Sequence, residues 1–204
     1  MNRYCVDLGI DLPLFNTQLS PIEFLKSRPI WANNIINNKE LAKHSKLDIN
    51  TELRQEVKDF FDKYNMFIEV VEIFYLFPYG SMSIHNDRAV PGDFSKVNWI
   101  YGGKDSVMNW YKVLNGSGGG APLYTTPINS PSLQYRPHEV ELVHTQTVGQ
   151  PSLVQVGCPH NVVNGSEERF CVSVVFKHKS TRSRVTMQES LEIFKNYIKS
   201  EINI

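Results

Sequence analysis

The sequence predicts a mainly β domain with helices at its ends, folded as a barrel or jelly roll. Three observations lead there. From Phe67 to Lys177, β-branched and aromatic runs alternate with glycine, proline, asparagine and aspartate, which is the texture of short strands and turns. No helical periodicity interrupts that stretch, which argues against βαβ units. The helical signals all lie outside it, before Phe67 and after Thr186.

Each element has its own local cause. Ser20-Pro21-Ile22-Glu23 joins a capping serine, a proline at the first helical position and a glutamate that completes a capping box, so a short helix begins there. From Asn50 onward, Leu53, Val57, Phe60, Phe61 and Tyr64 recur at helical spacing beside a charged face, as in a helix that lies on an apolar surface. Residues 1–66 therefore read as helical support for a β core at 67–177. Strands are expected at Phe67–Phe77, Val97–Tyr101, Val107–Leu114, Val140–Thr147, Leu153–Val156 and Arg169–Lys177, with shorter ones carrying His85 and His160. About eight such strands suit a barrel or jelly roll. The stretch from Asn115 to His138, rich in glycine and proline, reads as a long lid or binding loop. Its glycines are not followed by Gly-Lys-Ser/Thr, so it is not a phosphate cradle. Thr186 and Glu189 form another capping box, and Met187, Leu191, Phe194, Ile198 and Ile202 make the stripe of a closing helix over 186–204.

Length and composition agree with one domain over 1–204. A chain of 204 residues with 41% apolar and 21% charged side chains can bury a single core. Twenty-one basic residues balance twenty-one acidic ones, so no overall field draws the protein to nucleic acid or to an anionic membrane. Cys5, Cys158 and Cys171 are odd in number and form no CxxC pair, which points to reduced, buried thiols. The N-terminus lacks the features of a signal peptide, and no apolar run approaches the ~18 residues of a membrane span. A cytoplasmic location is the expectation.

The chemistry is concentrated in Ser83-Ile84-His85-Asn86-Asp87. Alternate residues on a strand share a face, so His85 and Asp87 can aim an imidazole and a carboxylate at one point. His160, in Cys158-Pro159-His160-Asn161-Val162, would complete a two-histidine, one-carboxylate set, which leaves a non-haem iron with open positions. Arg169 opens an otherwise apolar strand, and a buried cation there needs an anionic partner.

These residues together resemble the Fe(II)- and 2-oxoglutarate-dependent oxygenases. The HxD pair, the distal histidine and the following arginine stand in that family's order, and the tail from His160 to Phe176 is similar to the prolyl and aspartyl/asparaginyl hydroxylase branches. The resemblance implies a double-stranded β-helix in which His85, Asp87 and His160 hold iron and Arg169 pairs with the distal carboxylate of 2-oxoglutarate. It further implies a polar residue on the strand after HxD, where Lys96 and Asn98 share a face and Asn98 is favoured, and a tyrosine before HxD, for which Tyr75 is nearest but one residue off the usual spacing. Cys171 stands where several members have serine, with Ser173 next on that face. Asp87 favours hydroxylation or desaturation over halogenation, since halogenases lack a carboxylate there. The implied reaction turns 2-oxoglutarate into succinate and carbon dioxide while oxidising a small-molecule or peptidyl substrate that the sequence does not identify.

Other readings weigh less. A cupin-type metal enzyme without 2-oxoglutarate would show an HxH pair followed by glutamate, and a non-catalytic metal module would not retain three ligands and the arginine together. Trp99, Trp110 and Tyr111 read as core rather than substrate mouth. His138 and His144 lack a partner two residues away. Cys158 and His160 have no third group to make a thiol nucleophile and its base. The basic run Lys177–Arg184 reads as a solvated hinge.

Overall fold

The computed structural model describes residues 4–28, 42–87, 92–115, 123–125, 131–148 and 151–199. Its strands are β1 (Cys5–Asp7), β2 (Ala42–Leu47), β3 (Met66–Leu76), β4 (His85–Asn86), β5 (Ser95–Gly102), β6 (Val107–Val113), β7 (Leu123–Thr125), β8 (Pro131–Gln134), β9 (Val140–Gln146), β10 (Ser152–Gln155), β11 (His160–Val163) and β12 (Arg169–His178). The helices are α1 (Pro21–Lys26), α2 (Gln55–Asp62) and α3 (Met187–Ile193).

Two six-stranded sheets result, ordered β1-β10-β5-β12-β3-β2 and β7-β8-β4-β11-β6-β9, with neighbouring strands antiparallel throughout. Along the chain β3, β4, β5, β6, β9, β10, β11 and β12 alternate between the sheets, except for β6 to β9, which stays within one. That winding is a double-stranded β-helix, and it bears out the expected jelly roll.

The first sheet is covered on both faces. Phe170, Val172, Val174 and Phe176 of β12 join Val71, Ile73 and Tyr75 of β3 and Val97 and Trp99 of β5 in a cluster with Val57 and Phe61 of α2 and with Phe194 just after α3. The alternate residues Leu76, Ile100 and Cys171 pack instead with Met108, Trp110, Val154, Val156 and Val162 between the sheets. A strand buried on both faces reads as a nearly unbroken apolar run, which is why β12 was legible. Trp99 and Trp110 are core residues, and the Trp110 indole donates to the Gln155 carbonyl at 2.8 Å.

The capping boxes at Ser20 and Thr186 form as expected. Helix α2 ends just before Asn65, whose φ of 56° lies in the left-handed region that asparagine tolerates. Three differences from the sequence reading have physical causes. Residues 1–66 supply not only helices but also β1 and β2, the two edges of the first sheet. The closing helix stops at Ile193 and passes through a 3-10 turn, because the chain then pairs with the N-terminal segment: Gly9 donates to the Tyr197 carbonyl at 2.6 Å and Lys199 to that of Asp7 at 2.9 Å. Ile202 lies outside the described residues, as do 116–122 and 126–130 of the long loop. The described parts of that loop form the β7–β8 hairpin beside β4 and a 3-10 turn at Pro137–Glu139.

The basic run begins with the last two residues of β12 and continues through an exposed turn at 179–183, with local partners. Lys177 pairs with Glu69, Lys179 with Asp62, His178 with Glu189, and the Arg182 guanidinium lies 4.6 Å from the centroid of the Phe67 ring. No helix among the described residues is long and apolar enough to cross a membrane.

Candidate metal centre

Strand β4 is short and sits between β8 and β11, with His85 opposite His160 in register. The two imidazoles thus meet across adjacent strands, with centroids 4.6 Å apart. Asp87 follows β4 directly, and its backbone N–H donates to the Val156 carbonyl at 3.0 Å. One ligand atom from each of His85, Asp87 and His160 lies within 4.8 Å of the others.

The donor set fits a metal ion. His85 Nδ1 is 2.8 Å from the Ser83 carbonyl and His160 Nδ1 is 2.9 Å from that of Cys158, so each ring donates through Nδ1 and keeps its Nε2 lone pair for a metal. Asp87 Oδ1 lies 3.4 Å from His85 Nε2 and 4.0 Å from His160 Nε2. Burial, and then the neighbouring His85, lower the His160 pKa to about 4, which leaves a neutral imidazole of the kind a metal takes. Burial alone would raise the Asp87 pKa, but the Lys96 ammonium and the two histidines hold it well below the usual carboxylate range. His85 shows the converse: burial opposes its protonation, and Asp87 more than offsets that, so its pKa is raised.

These three residues face a cavity between the sheets. Its polar lining also includes Lys96, Asn98, Arg169 and Ser173, and its apolar lining includes Phe74, Met82, Met108, Val156 and Val162. A wider groove on the far side of the first sheet, lined by Leu8–Phe15, Trp99 and Tyr101, contains none of the cluster. Arg169 is 2% exposed, and its Nε donates to Ser106 Oγ at 3.1 Å. Gly103 gives it room: at φ 63° it has no side chain, and a Cβ there would come within 2.7 Å of the arginine stem. Among the described residues no carboxylate pairs with Arg169, whereas Lys96 has two, Glu72 at 2.5 Å and Asp87 at 2.6 Å. Asn98 Oδ1 is buried without a hydrogen-bond partner.

The structure therefore gathers His85, Asp87, His160, Asn98 and Arg169 around one cavity. It does not bring Tyr75 there. Tyr75 faces the helices, its hydroxyl donating to Glu168 Oε1 at 2.7 Å, and Phe74 takes the cavity side. His138 lies in the 3-10 turn, and His144 stacks on Tyr4 at 5.4 Å. The cysteines are free, and burial pushes the Cys158 thiol up to about 12, which is no activated nucleophile. Sequence reasoning missed Glu72, Ser106 and the bond from Lys96 to Asp87. A signal was present, because an acid in the apolar run of β3 and a lysine in that of β5 each need a charged partner.

Fold and site together define a double-stranded β-helix with a two-histidine, one-carboxylate cluster able to hold a metal ion. No family model matches the chain, and no curated protein matches it. Similar solved structures include Peruvianin-I, a cysteine peptidase from Thevetia peruviana latex, at 10% identity over 91% of this chain and 96% of that one, with a TM-score of 0.34. An oxalate decarboxylase from Bacillus subtilis matches at 13% identity over 82% of this chain and 31% of its own, with a TM-score of 0.34. An oxidoreductase of the 2OG-Fe(II) oxygenase family from Burkholderia pseudomallei matches at 14% identity over 60% and 48%, with a TM-score of 0.31. The chain thus spans about a third of the decarboxylase and about half of the oxygenase. The fold assignment rests on the strand order.

Proposed function

We propose that the protein is an Fe(II)- and 2-oxoglutarate-dependent oxygenase that hydroxylates a small-molecule or peptidyl substrate. The observation that carries this reading is Arg169, a buried guanidinium with no carboxylate partner among the described residues, in the same cavity as the His85, Asp87 and His160 cluster. A buried cation requires a counter-charge, and a dicarboxylate whose other end reaches the cluster would supply it. His85 and His160 would each give Nε2 to iron, and Asp87 would give Oδ1. When bound, Fe(II) supplies the activation of dioxygen and the one-electron chemistry that side chains cannot perform. Asn98 would hydrogen-bond the co-substrate, with Ser173 on the same cavity wall as a hydroxyl donor. Phe74, Met108, Val156 and Val162 form an apolar part of the cavity wall, which would limit water beside the metal.

The test is an anaerobic titration of the Fe(II) protein with 2-oxoglutarate, following the charge-transfer absorption of the chelate. Removing one partner of a desolvated charge pair costs roughly 2–5 kcal/mol, so Arg169→Gln should bind 2-oxoglutarate about 30-fold to a few thousand-fold more weakly. Iron uptake should not change, because Arg169 is not a ligand in this reading. If the wild-type iron protein shows no chelate absorption, or the variant binds 2-oxoglutarate equally well, the co-substrate is wrong and a metal enzyme of cupin type takes its place.

A further inference from the structure

The two oxygens of the Asp87 carboxylate meet different partners. Asp87 directs Oδ1 at the two imidazoles, while Oδ2 accepts from the Lys96 ammonium at 2.6 Å. Lys96 is 3% exposed, and its charge is met from the other side by Glu72 at 2.5 Å. The three groups come from β3, β5 and the turn after β4, so the contact ties the first sheet to the metal cluster on the second.

A free carboxylate can offer a metal either one oxygen or both. With Oδ2 held by an ammonium, only Oδ1 is left, and the face contributes two nitrogens and one oxygen. Were Oδ2 released, it could take a further coordination position, one of the three that a chelating co-substrate and a third ligand would otherwise fill. We propose that Lys96 is a positioning residue that confines Asp87 to one-oxygen coordination and so keeps a position on the metal open. This rests on the iron reading above. Glu72 serves it by allowing a charged lysine in the barrel wall, since a buried ammonium without counter-charge is costly.

The competing account is structural: Lys96 is present only to neutralise Glu72. Two variants separate the accounts. Lys96→Met removes the ammonium and keeps the length of the stem, while Glu72→Gln/Lys96→Met removes both buried charges and relieves any cost of leaving one behind. The probes are Fe(II), 2-oxoglutarate and nitric oxide under anaerobic conditions, with nitric oxide read by the electron paramagnetic resonance of its iron adduct. The wild type is expected to take all three together. Both variants are expected to bind Fe(II) no more weakly than the wild type and to take up nitric oxide in the presence of 2-oxoglutarate about 10- to 100-fold more weakly. Glu72→Gln alone, which leaves the ammonium on Asp87, is expected to behave as the wild type. Wild-type nitric oxide affinity in the double variant overturns the proposal and leaves the iron reading standing. A wild type that takes up no Fe(II) overturns the iron reading, and the proposal with it.

Discussion

On β3 the parity of one position decides which aromatic ring reaches the metal cluster. Phe74 lines the cavity, and its neighbour Tyr75 lies under the helices. Because side chains on a strand alternate faces, the one-residue offset between Tyr75 and the usual spacing moves it to the opposite side of the sheet. The sequence contained this information in Glu72, which shares the face of Phe74 and needs Lys96. Phe74 also carries a stacked neighbour, His44, with ring centroids 4.0 Å apart. Burial lowers the His44 pKa from 6.5 to about 4, with Glu72 pulling the other way, and its Nε2 is buried without a hydrogen-bond partner. A histidine whose folded pKa is depressed favours the neutral form. Its contribution to stability is therefore whole above pH 6.5 and is lost as the pH falls toward 4, where the unfolded chain takes the proton first. The full loss is about 3 kcal/mol at most. His44→Leu, which cannot take up a proton, should lose less stability than the wild type between those limits. Denaturant unfolding of both proteins at several pH values checks this, and parallel curves would contradict it.

Among the elements, those with a clear run of apolar or β-branched residues were legible, the edge strand β9 included, while the edge strands β1, β2 and β7 were not. Strands β3, β5, β6, β9, β10 and β12 appear within a residue or two of the expected spans, since apolar patterning marks them. The short β4 and β11 were legible only through the histidines they carry. Strand β2, with sequence Ala-Lys-His-Ser-Lys-Leu, has no strand-like apolar alternation, and its place at an edge comes from pairing with β3. Such pairing is information held elsewhere in the chain. The β7–β8 hairpin falls in a glycine- and proline-rich stretch, and Pro131 occupies the first position of β8, where a missing N–H is tolerated. Helix α2 was legible, and its anchor is Phe61, fully buried with its ring 5.2 Å from Phe176 and 6.2 Å from Phe194. Phe61→Ala should cost about 3–5 kcal/mol of stability. The helix lies against the outer face of the first sheet, so the same variant should take up Fe(II) as the wild type does wherever it remains folded. Calorimetry and an iron assay on one preparation test both halves, and a loss of iron without a loss of stability would show that the helix face and the cavity are coupled.

Across the whole molecule, the candidate site joins the two sheets through polar groups from both. His85 and His160 belong to one sheet, Lys96, Asn98 and Arg169 to the other, and Asp87 is held to both through its ligand face and through Lys96. A metal bound there would be present only in the folded chain, because the three ligand atoms converge only after β4 and β11 have paired. Binding to the folded state alone adds stability by mass action, about 2.7 kcal/mol when free metal is a hundredfold above its dissociation constant. For a domain of this size each kcal/mol raises the melting temperature by roughly 2–4 °C, so Fe(II) under anaerobic conditions should raise it by roughly 5–10 °C. Adding 2-oxoglutarate should raise it further, and by less in Arg169→Gln. Asp87→Ala removes the charged ligand and also leaves Lys96 with Glu72 alone, so its metal-free form should melt differently from the wild type. The informative quantity is therefore the shift on adding metal, which should nearly vanish in this variant. If Fe(II) leaves the wild-type melting temperature unchanged, or moves wild type and Asp87→Ala equally, the three residues are not a metal centre, and their convergence is a polar network that merely ties the two sheets together.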